Sequence, residues 1–205
     1  MSKDKQTHEA EKRIEIAATE RGYDGFFKID RVHFRHTLYQ GGWSPWIDRE
    51  LFGRGQAVVV LLYDLAAEQV VLVEQCRAGA LPQALEQNDQ AWLIEPVAGM
   101  IDEGETRLAA CAREAYEEAG VSEATFEFIC EFYPSPGGSS EILHLYAAAV
   151  DSTALPEFGG QADEVEDIRL VKLDFETALA SLQQAKFNVA STIIALQWLF
   201  YQKLG

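Results

Sequence analysis

Three glutamates on one face of a short helix constrain this chain of 205 residues more than any other feature of its sequence. Apolar residues recur at helical spacing from about Arg107 to Ala119, and Gly120 follows where a C-cap glycine is expected. Glu114 and Glu118 are four residues apart, and Glu117 lies between them on the same face. Like charges so close together repel, so this face is either solvated or holds a divalent cation. Oxygen ligands of this kind suit Mg²⁺ or Mn²⁺.

The residues around the acidic face follow a specific order. Arg113 lies four residues before Glu117 and could hold that carboxylate in one rotamer. A glutamate-rich helix by itself would more often be a solvated surface. The full spacing is Gly99, five residues, Glu105, seven residues, Arg113-Glu114-Ala115, one residue, Glu117-Glu118, one residue, and Gly120-Val121. This pattern resembles the Nudix box and departs from it only at Ala115, where the box prefers a bulkier aliphatic residue.

The resemblance implies a metal-dependent hydrolase of pyrophosphate bonds with the Nudix fold, an α/β/α sandwich. It assigns metal binding to Glu114 and Glu118 with help from the Ala98 carbonyl, and it makes Glu105 and Glu117 further members of the carboxylate cluster. Mg²⁺ is the expected metal, with Mn²⁺ as an alternative. Metal ions suit this chemistry because they lower the pKa of a bound water and neutralise charge on the attacking and leaving oxygens.

The rest of the sequence predicts a mixed sheet with helices on its faces, in the α/β class. Residues 1–50 are predicted to form an N-terminal extension with short strands and a dimer contact, and residues 51–205 the Nudix catalytic domain. Up to about Arg21 the chain is charged and is expected to be loosely docked. Asn188 is a candidate cap for the last helix. The predicted strands lie in Phe26–Leu38 and at Ala57–Tyr63, Gln69–Glu74, Trp92–Val97, Phe126–Phe132, Ile142–Val150 and Ile168–Leu173, and the further predicted helices at Phe175–Gln184 and Val189–Lys203.

The charge and the cysteines restrict the cellular setting and the partners. A net charge of -16 would repel nucleic-acid polymers, because such binding depends on lysine and arginine neutralising phosphates. The three cysteines are scattered and odd in number, which favours reduced thiols. No segment of the sequence is typical of a secretory signal or of a membrane span. The sequence therefore predicts a cytoplasmic protein that binds a small phosphorylated molecule, and neither nucleic acid nor membrane.

Two loops carry a further resemblance, to the bacterial ADP-ribose pyrophosphatase branch of the Nudix family. One is the Ser-Pro-Gly run that includes Pro136 and Gly137, where small residues would let a ligand approach the backbone closely. The other is the acidic stretch Ala162–Ile168, in which the resemblance places a catalytic base at Glu164 and an additional metal ligand at Glu166. By themselves both stretches are typical of ordinary loops. Substrate-contacting positions of the branch match four more residues: Phe26, Arg49, Arg77 and Glu141.

Several alternatives stay open at this point. Arginine suits phosphate and Phe26 could stack on adenine, although surface ion pairs or core packing would equally explain these residues. The leading interpretation is hydrolysis of ADP-ribose to AMP and ribose 5-phosphate by a homodimer. Its rivals are a pyrophosphatase for another nucleotide sugar such as GDP-mannose, a nucleotide sensor without activity, and a Ca²⁺-buffering acidic protein. Glu164 is preferred to Glu117 as the general base, because a loop carboxylate is freer to reach the attacking water.

Overall fold

The computed structural model describes residues 12–84, 88–162 and 165–205. The described residues divide into two compact units: the first comprises those up to Arg54 together with Ser135–Glu141, and the second comprises those within Gly55–Pro134 and Ile142–Gly205. The predicted division into an extension and a catalytic domain at residue 50 stays a prediction.

The strands are β1 (Ile14–Asp24), β2 (Lys28–His36), β3 (Ile47–Gly53), β4 (Gln56–Asp64), β5 (Gln69–Cys76), β6 (Trp92–Glu95), β7 (Val97–Met100), β8 (Phe126–Phe132), β9 (Ile142–Ala149), β10 (Phe158–Gly159) and β11 (Ile168–Asp174). The α-helices are α1 (Leu81–Ala84), α2 (Arg107–Ala119), α3 (Phe175–Gln183) and α4 (Ala190–Trp198), and a π-helical turn, Leu199–Lys203, follows α4.

The first unit contains an antiparallel sheet in the order β1-β2-β3. The prediction of a loosely docked chain up to Arg21 is wrong for the residues that follow position 13, because β1 pairs with β2 along its whole length. Two ion pairs cross this strand pair, from Arg35 to Glu15 and from Arg21 to Asp30. Backbone pairing needs no buried apolar side chains, so the charged composition concealed the strand. Residues 1–11, which share the same prediction, lie outside the described part of the chain.

The second unit is built on a mixed sheet in the order β10-β11-β5-β4-β9-β8, with β6 beside β5 and β7 beside β4. β4 and β9 pair in parallel, whereas the other paired strands run antiparallel. The predicted strand Trp92–Val97 is divided between β6 and β7 at Pro96, which has no backbone N–H to donate. The predicted hairpin of β4 and β5 is confirmed.

Helices cover both faces of this sheet. Alternate residues of β4 point to opposite faces, so that Val58 packs in the core beside α2 and Val59 in the core beside α4. The predicted α/β/α arrangement with a mixed sheet is therefore confirmed. The predicted Asn188 cap is wrong, because α4 begins at Ala190 and Val189 occupies the cap position with a side chain that cannot accept a hydrogen bond. Within the described residues, no helix is long and apolar enough to cross a membrane.

Candidate active site

α2 has local signals that fix both of its ends. Thr106 caps the N-terminus, since its Oγ1 accepts a hydrogen bond from the Ala109 N–H at 3.2 Å. Gly120 ends the helix in the left-handed conformation, at φ 70°, and donates to the Tyr116 carbonyl at 2.9 Å. Ala115, the residue that departs from the Nudix box, is fully buried in the core beneath the helix.

Glu114 lies against the backbone of β7. A methyl group at Gly99 would come closer than 3.0 Å to the Oε1 atom of Glu114, a separation that real side chains do not adopt. Only glycine therefore allows this carboxylate to occupy its place beside the strand. Burial raises the pKa of Glu114, while hydrogen bonding and the charge of Arg113 act in the opposite direction.

Glu118 is the most deeply buried carboxylate of α2, with 2% of its surface exposed. Its Oε2 atom accepts a hydrogen bond from the Ala98 N–H at 3.1 Å. Burial raises the pKa of Glu118 to about 8, although this hydrogen bond and the charge of Arg77 oppose the shift. The structure thus brings together two of the predicted metal-binding residues, Ala98 of β7 and Glu118 of α2. Their contact is through the Ala98 N–H, whereas the resemblance assigns the Ala98 carbonyl to the metal.

Arg113 connects three carboxylates. Its Nη1 atom donates to Glu114 Oε1 at 2.6 Å and to Glu117 Oε2 at 3.2 Å. Its Nε and Nη2 atoms donate to the two oxygens of Glu105 at 3.0 and 2.9 Å, and Nη2 also donates to the Met100 carbonyl at 2.9 Å. The hydrogen bond from Arg113 holds the pKa of Glu105 below its usual value. The expected contact with Glu117 is present, and the fork to Glu105 additionally fastens the loop before α2 to the helix.

Glu166 lies on the loop between β10 and β11, and its charge adds to the upward pKa shifts of Glu114 and Glu118 that burial causes. Glu164, the predicted base, lies outside the described residues. The sequence interpretation missed Gly159 and Gly160, whose backbone contacts the end of α2: Gly160 N–H donates to the Glu117 carbonyl at 2.9 Å. The Gly-Gly dipeptide just before the acidic stretch was the available signal.

The donors at this site fit a hard divalent cation. Two carboxyl groups on α2, those of Glu114 and Glu118, are buried, and burial disfavours their charged forms, which a bound cation would favour. As placed in the described ranges, no three or more His, Cys, Asp or Glu side chains have the geometry of a metal site. Glu114 instead contacts Arg113, and Glu118 contacts the Ala98 N–H. Binding a cation would therefore require Glu114 to exchange part of its contact with Arg113.

The residues predicted to contact substrate belong to both units. Arg77, in the second unit, donates from Nε to Glu95 Oε2 at 2.6 Å. In the first unit, Phe26 is 84% exposed, so core packing does not explain it. Arg49 donates to the Asp48 carbonyl at 2.8 Å, and Glu141 is 3.5 Å from Arg54.

The loop with Pro136 and Gly137 is attached to the end of β3. Phe52 N–H donates to the Gly138 carbonyl at 2.7 Å, and Ser140 N–H donates to the Phe52 carbonyl at 3.1 Å. A side chain at Gly137 would meet open space, so the small residue leaves this part of the loop accessible.

Comparison with known proteins identifies a family and several named relatives. The NUDIX domain family matches residues 53–191. An ADP-ribose pyrophosphatase of Escherichia coli strain K12 is 41% identical over 186 residues, covering 91% of this chain and 87% of the relative. An ADP-ribose pyrophosphatase of Haemophilus influenzae is 37% identical over 192 residues, covering 94% and 88%. A GDP-mannose pyrophosphatase of Cronobacter sakazakii is 35% identical over 152 residues, covering 74% and 76%.

The matched region begins at the end of β3 and extends into α4, so it includes α2, its carboxylates and the sheet on which they lie. It covers more than half of the sequence, and the two ADP-ribose pyrophosphatases align with nearly all of it. The Nudix resemblance of the Gly99–Val121 spacing is thereby confirmed, and the chain belongs to the NUDIX family.

Proposed function

We propose that this chain hydrolyses the pyrophosphate bond of ADP-ribose and releases AMP and ribose 5-phosphate. The observation that carries the proposal is the pair of buried carboxyl groups, Glu114 and Glu118, which lie beside the backbone of β7. A helix that only needed a solvated surface would not bury two ionisable carboxyl groups at one place, because burial makes them costly to charge. The alignment with two relatives named ADP-ribose pyrophosphatase supports the choice of substrate.

In this proposal the carboxylates hold Mg²⁺, which Mn²⁺ could replace. Glu114, Glu118 and Glu166 supply ligands, and the Ala98 carbonyl supplies another. Bound metal lowers the pKa of water and neutralises charge on the phosphate oxygens. Arg113 acts on Glu117 and Glu114 as an orienting group, because its hydrogen bonds hold both side chains on the same side of α2.

The proposed reaction is a substitution at phosphorus. The oxygen of a water molecule forms a bond to one phosphorus, and the bond from that phosphorus to the bridging oxygen breaks. The bridging oxygen leaves with the other phosphate, and the water gives its proton to a general base. We assign that base to Glu164, with Glu117 as its rival.

Further residues are proposed to recognise the substrate. Arg49 and Arg77 would bind phosphate oxygens through their forked guanidinium groups. The exposed ring of Phe26 is available to stack on adenine. The loop residues Pro136, Gly137 and Glu141 would contact the remainder of the ligand, a role that the open space at Gly137 supports.

A second candidate is a pyrophosphatase for another nucleotide sugar. The alignment with a relative named GDP-mannose pyrophosphatase favours it, although that alignment covers less of the chain. A nucleotide sensor without activity is disfavoured, because binding alone does not require the buried carboxylate cluster.

The test is a release assay with purified full-length protein. AMP formation from ADP-ribose is measured with Mg²⁺ and with chelator, and kcat/KM is compared with that for GDP-mannose. Metal-dependent AMP release with the larger kcat/KM for ADP-ribose is expected. A larger value for GDP-mannose would establish the second candidate instead, and binding of both nucleotides without product would indicate a sensor.

We also propose a cytoplasmic homodimer. The exposed apolar side chains of the first unit, including Ile14, Ile16 and Phe26, support a contact between two copies. The three cysteines are free thiols in the structure, which is compatible with a reducing compartment.

A further inference from the structure

Two consecutive glycines, Gly159 and Gly160, lie against the C-terminal end of α2. A side chain at Gly159 would come closer than 3.0 Å to the backbone carbonyl oxygen of Glu118. Gly160 N–H donates to the neighbouring carbonyl, that of Glu117, at 2.9 Å. Carbonyls in the last turn of a helix have no partner within the helix. The dipeptide therefore binds the helix at the backbone of two of its acidic residues.

The same dipeptide contacts the residue that brings the third carboxylate. Gly160 has φ +96°, and a Cβ atom there would be 2.8 Å from the Glu166 carbonyl oxygen. Glu166 N–H in turn donates to the Gln161 carbonyl at 3.1 Å. Residues 160 and 161 thus meet residue 166 at the base of the acidic loop, and this base is attached to α2.

Strand pairing in the sheet also holds the Gly159–Gly160 dipeptide in place. Gly159 belongs to β10 and pairs with Ile168 of β11, and Ile168 is fully buried in the core beneath α2. The chain is therefore held between α2 on one side and β11 on the other. Because the obstacle at Gly159 is a backbone oxygen, no change of side-chain rotamer could make room for a larger residue.

We propose that Gly159 and Gly160 are positioning residues that set the separation between Glu166 on the loop and Glu114 and Glu118 on α2. Their lack of side chains lets the loop base dock directly on the helix carbonyls. This inference rests on the proposed function, since it takes these three glutamates to be metal ligands. It adds the expectation that the distance from Glu166 to the glutamates of α2 depends on Gly159 and Gly160, which contact neither metal nor substrate in this proposal.

The test measures Mg²⁺ affinity by isothermal titration calorimetry on the full chain. Gly159→Ala should weaken Mg²⁺ binding by about tenfold, as changes behind metal ligands do. Gly79→Ala is the matched control, because a side chain at Gly79 meets open space, and its affinity should equal that of wild type. Unchanged affinity in Gly159→Ala would overturn the inference.

A double-mutant cycle separates positioning from general weakening of the fold. If Gly159 acts through Glu166, Gly159→Ala should have no further effect on Mg²⁺ affinity once Glu166→Gln has removed the ligand. Equal losses in the two backgrounds would overturn the inference while leaving the proposed function intact. If wild type itself binds no Mg²⁺, the proposed function fails, and the inference fails with it.

Hydrogen exchange of wild type tests the same idea without any variant, in case Gly159→Ala does not fold. If the loop base were to open, the Gly160 hydrogen bond to the Glu117 carbonyl would break, and the Gly160 amide would exchange. At Mg²⁺ about ten times its Kd, exchange of the Gly160 amide should slow by about tenfold. The Thr177 amide, which donates to Asp174 at the start of α3, serves as the control and should change little. An equal response of both amides would contradict the coupling.

Discussion

The carboxylate of Glu114 and the backbone of Gly99 are in such close approach that no side chain fits between them. This contact joins α2 to β7, two elements that also meet through the hydrogen bond from Ala98 to Glu118. The acidic face of the helix is thereby turned toward a strand rather than toward bulk water.

Gly99→Ala should displace the Glu114 carboxylate and weaken Mg²⁺ binding by about tenfold. The physical reason is the methyl group, which would overlap with Oε1 of Glu114. Titration of activity with Mg²⁺ at saturating ADP-ribose measures the effect, with Gly79→Ala as the matched control. A Mg²⁺ dependence identical to that of wild type would show that Glu114 is not held by this contact.

If Glu118 is a metal ligand, as we propose, Glu118→Gln should lower turnover by on the order of a hundredfold or more while the fold is retained. Glu123→Gln, an exposed carboxylate beyond the end of α2, is the control and should leave kcat unchanged. The measurement is kcat at saturating Mg²⁺, with circular dichroism for the fold. A Glu118→Gln enzyme that keeps more than about a tenth of the wild-type rate would contradict the assignment.

The two candidate bases predict opposite outcomes. If Glu164 is the base, Glu164→Gln should lower kcat by about a hundredfold with little change in KM or Mg²⁺ affinity. Glu117 accepts a hydrogen bond from Arg113 and is therefore less free to take a proton from water. Glu117→Gln should then mainly weaken Mg²⁺ binding, because it removes a charge from the carboxylate cluster. Measuring kcat of both variants at saturating Mg²⁺ distinguishes the two candidate bases. An active Glu164→Gln with an inactive Glu117→Gln would move the base onto α2.

Asp64 should stabilise the fold in a pH-dependent way. Its carboxylate accepts hydrogen bonds from the backbone N–H groups of Ala67, Ser152 and Ala66 and from the Ser152 hydroxyl, and these bonds lower the pKa of Asp64 to about 2. The unfolded chain, with an ordinary aspartate, binds the proton more readily. The stabilisation is therefore complete above about pH 4 and is lost as the pH falls toward about 2.

Asp64→Asn should consequently lower the free energy of unfolding at neutral pH by about 2 kcal/mol, because an NH₂ group would face the same donors. Urea denaturation at a series of pH values measures this. The difference from wild type should shrink as the pH approaches about 2. Glu123→Gln provides an exposed control without such an effect. A difference that is independent of pH would exclude the charge of Asp64 as the cause.

The chain should sediment as a dimer at micromolar concentration. β1 is an edge strand of the described three-stranded sheet and has Ile14 and Ile16 largely exposed, which favours contact with a second copy. Ile16→Asp should shift the equilibrium toward monomer if β1 takes part, whereas Glu20→Gln on the same strand should not. A wild-type monomer in sedimentation velocity would contradict the prediction.

The sequence by itself determined α2 and the identity of its acidic face. Helical periodicity is local, so residues 114 and 118 must share a face wherever the helix is placed, and Gly120 ends it through its own conformational freedom. The spacing from Gly99 to Val121 resembles the Nudix box, and this resemblance was enough to predict the NUDIX family. The hairpin of β4 and β5 was predictable for a similar reason, because two runs of valine and leucine are joined by a short polar turn.

Only the tertiary structure decided which segments contact the acidic face of α2 and how deeply its carboxyl groups are buried. The approach of Glu114 to Gly99, the burial of Glu118 and the docking of Gly159 on α2 each join residues that are distant in sequence. The parallel pairing of β4 with β9 likewise depends on packing across the whole unit. Local propensity contains no information about such contacts, because burial and the pKa shifts that follow from it depend on which other segments come to lie nearby. The same limit explains β1, where backbone pairing with β2 orders a charged segment that has few apolar side chains to signal it.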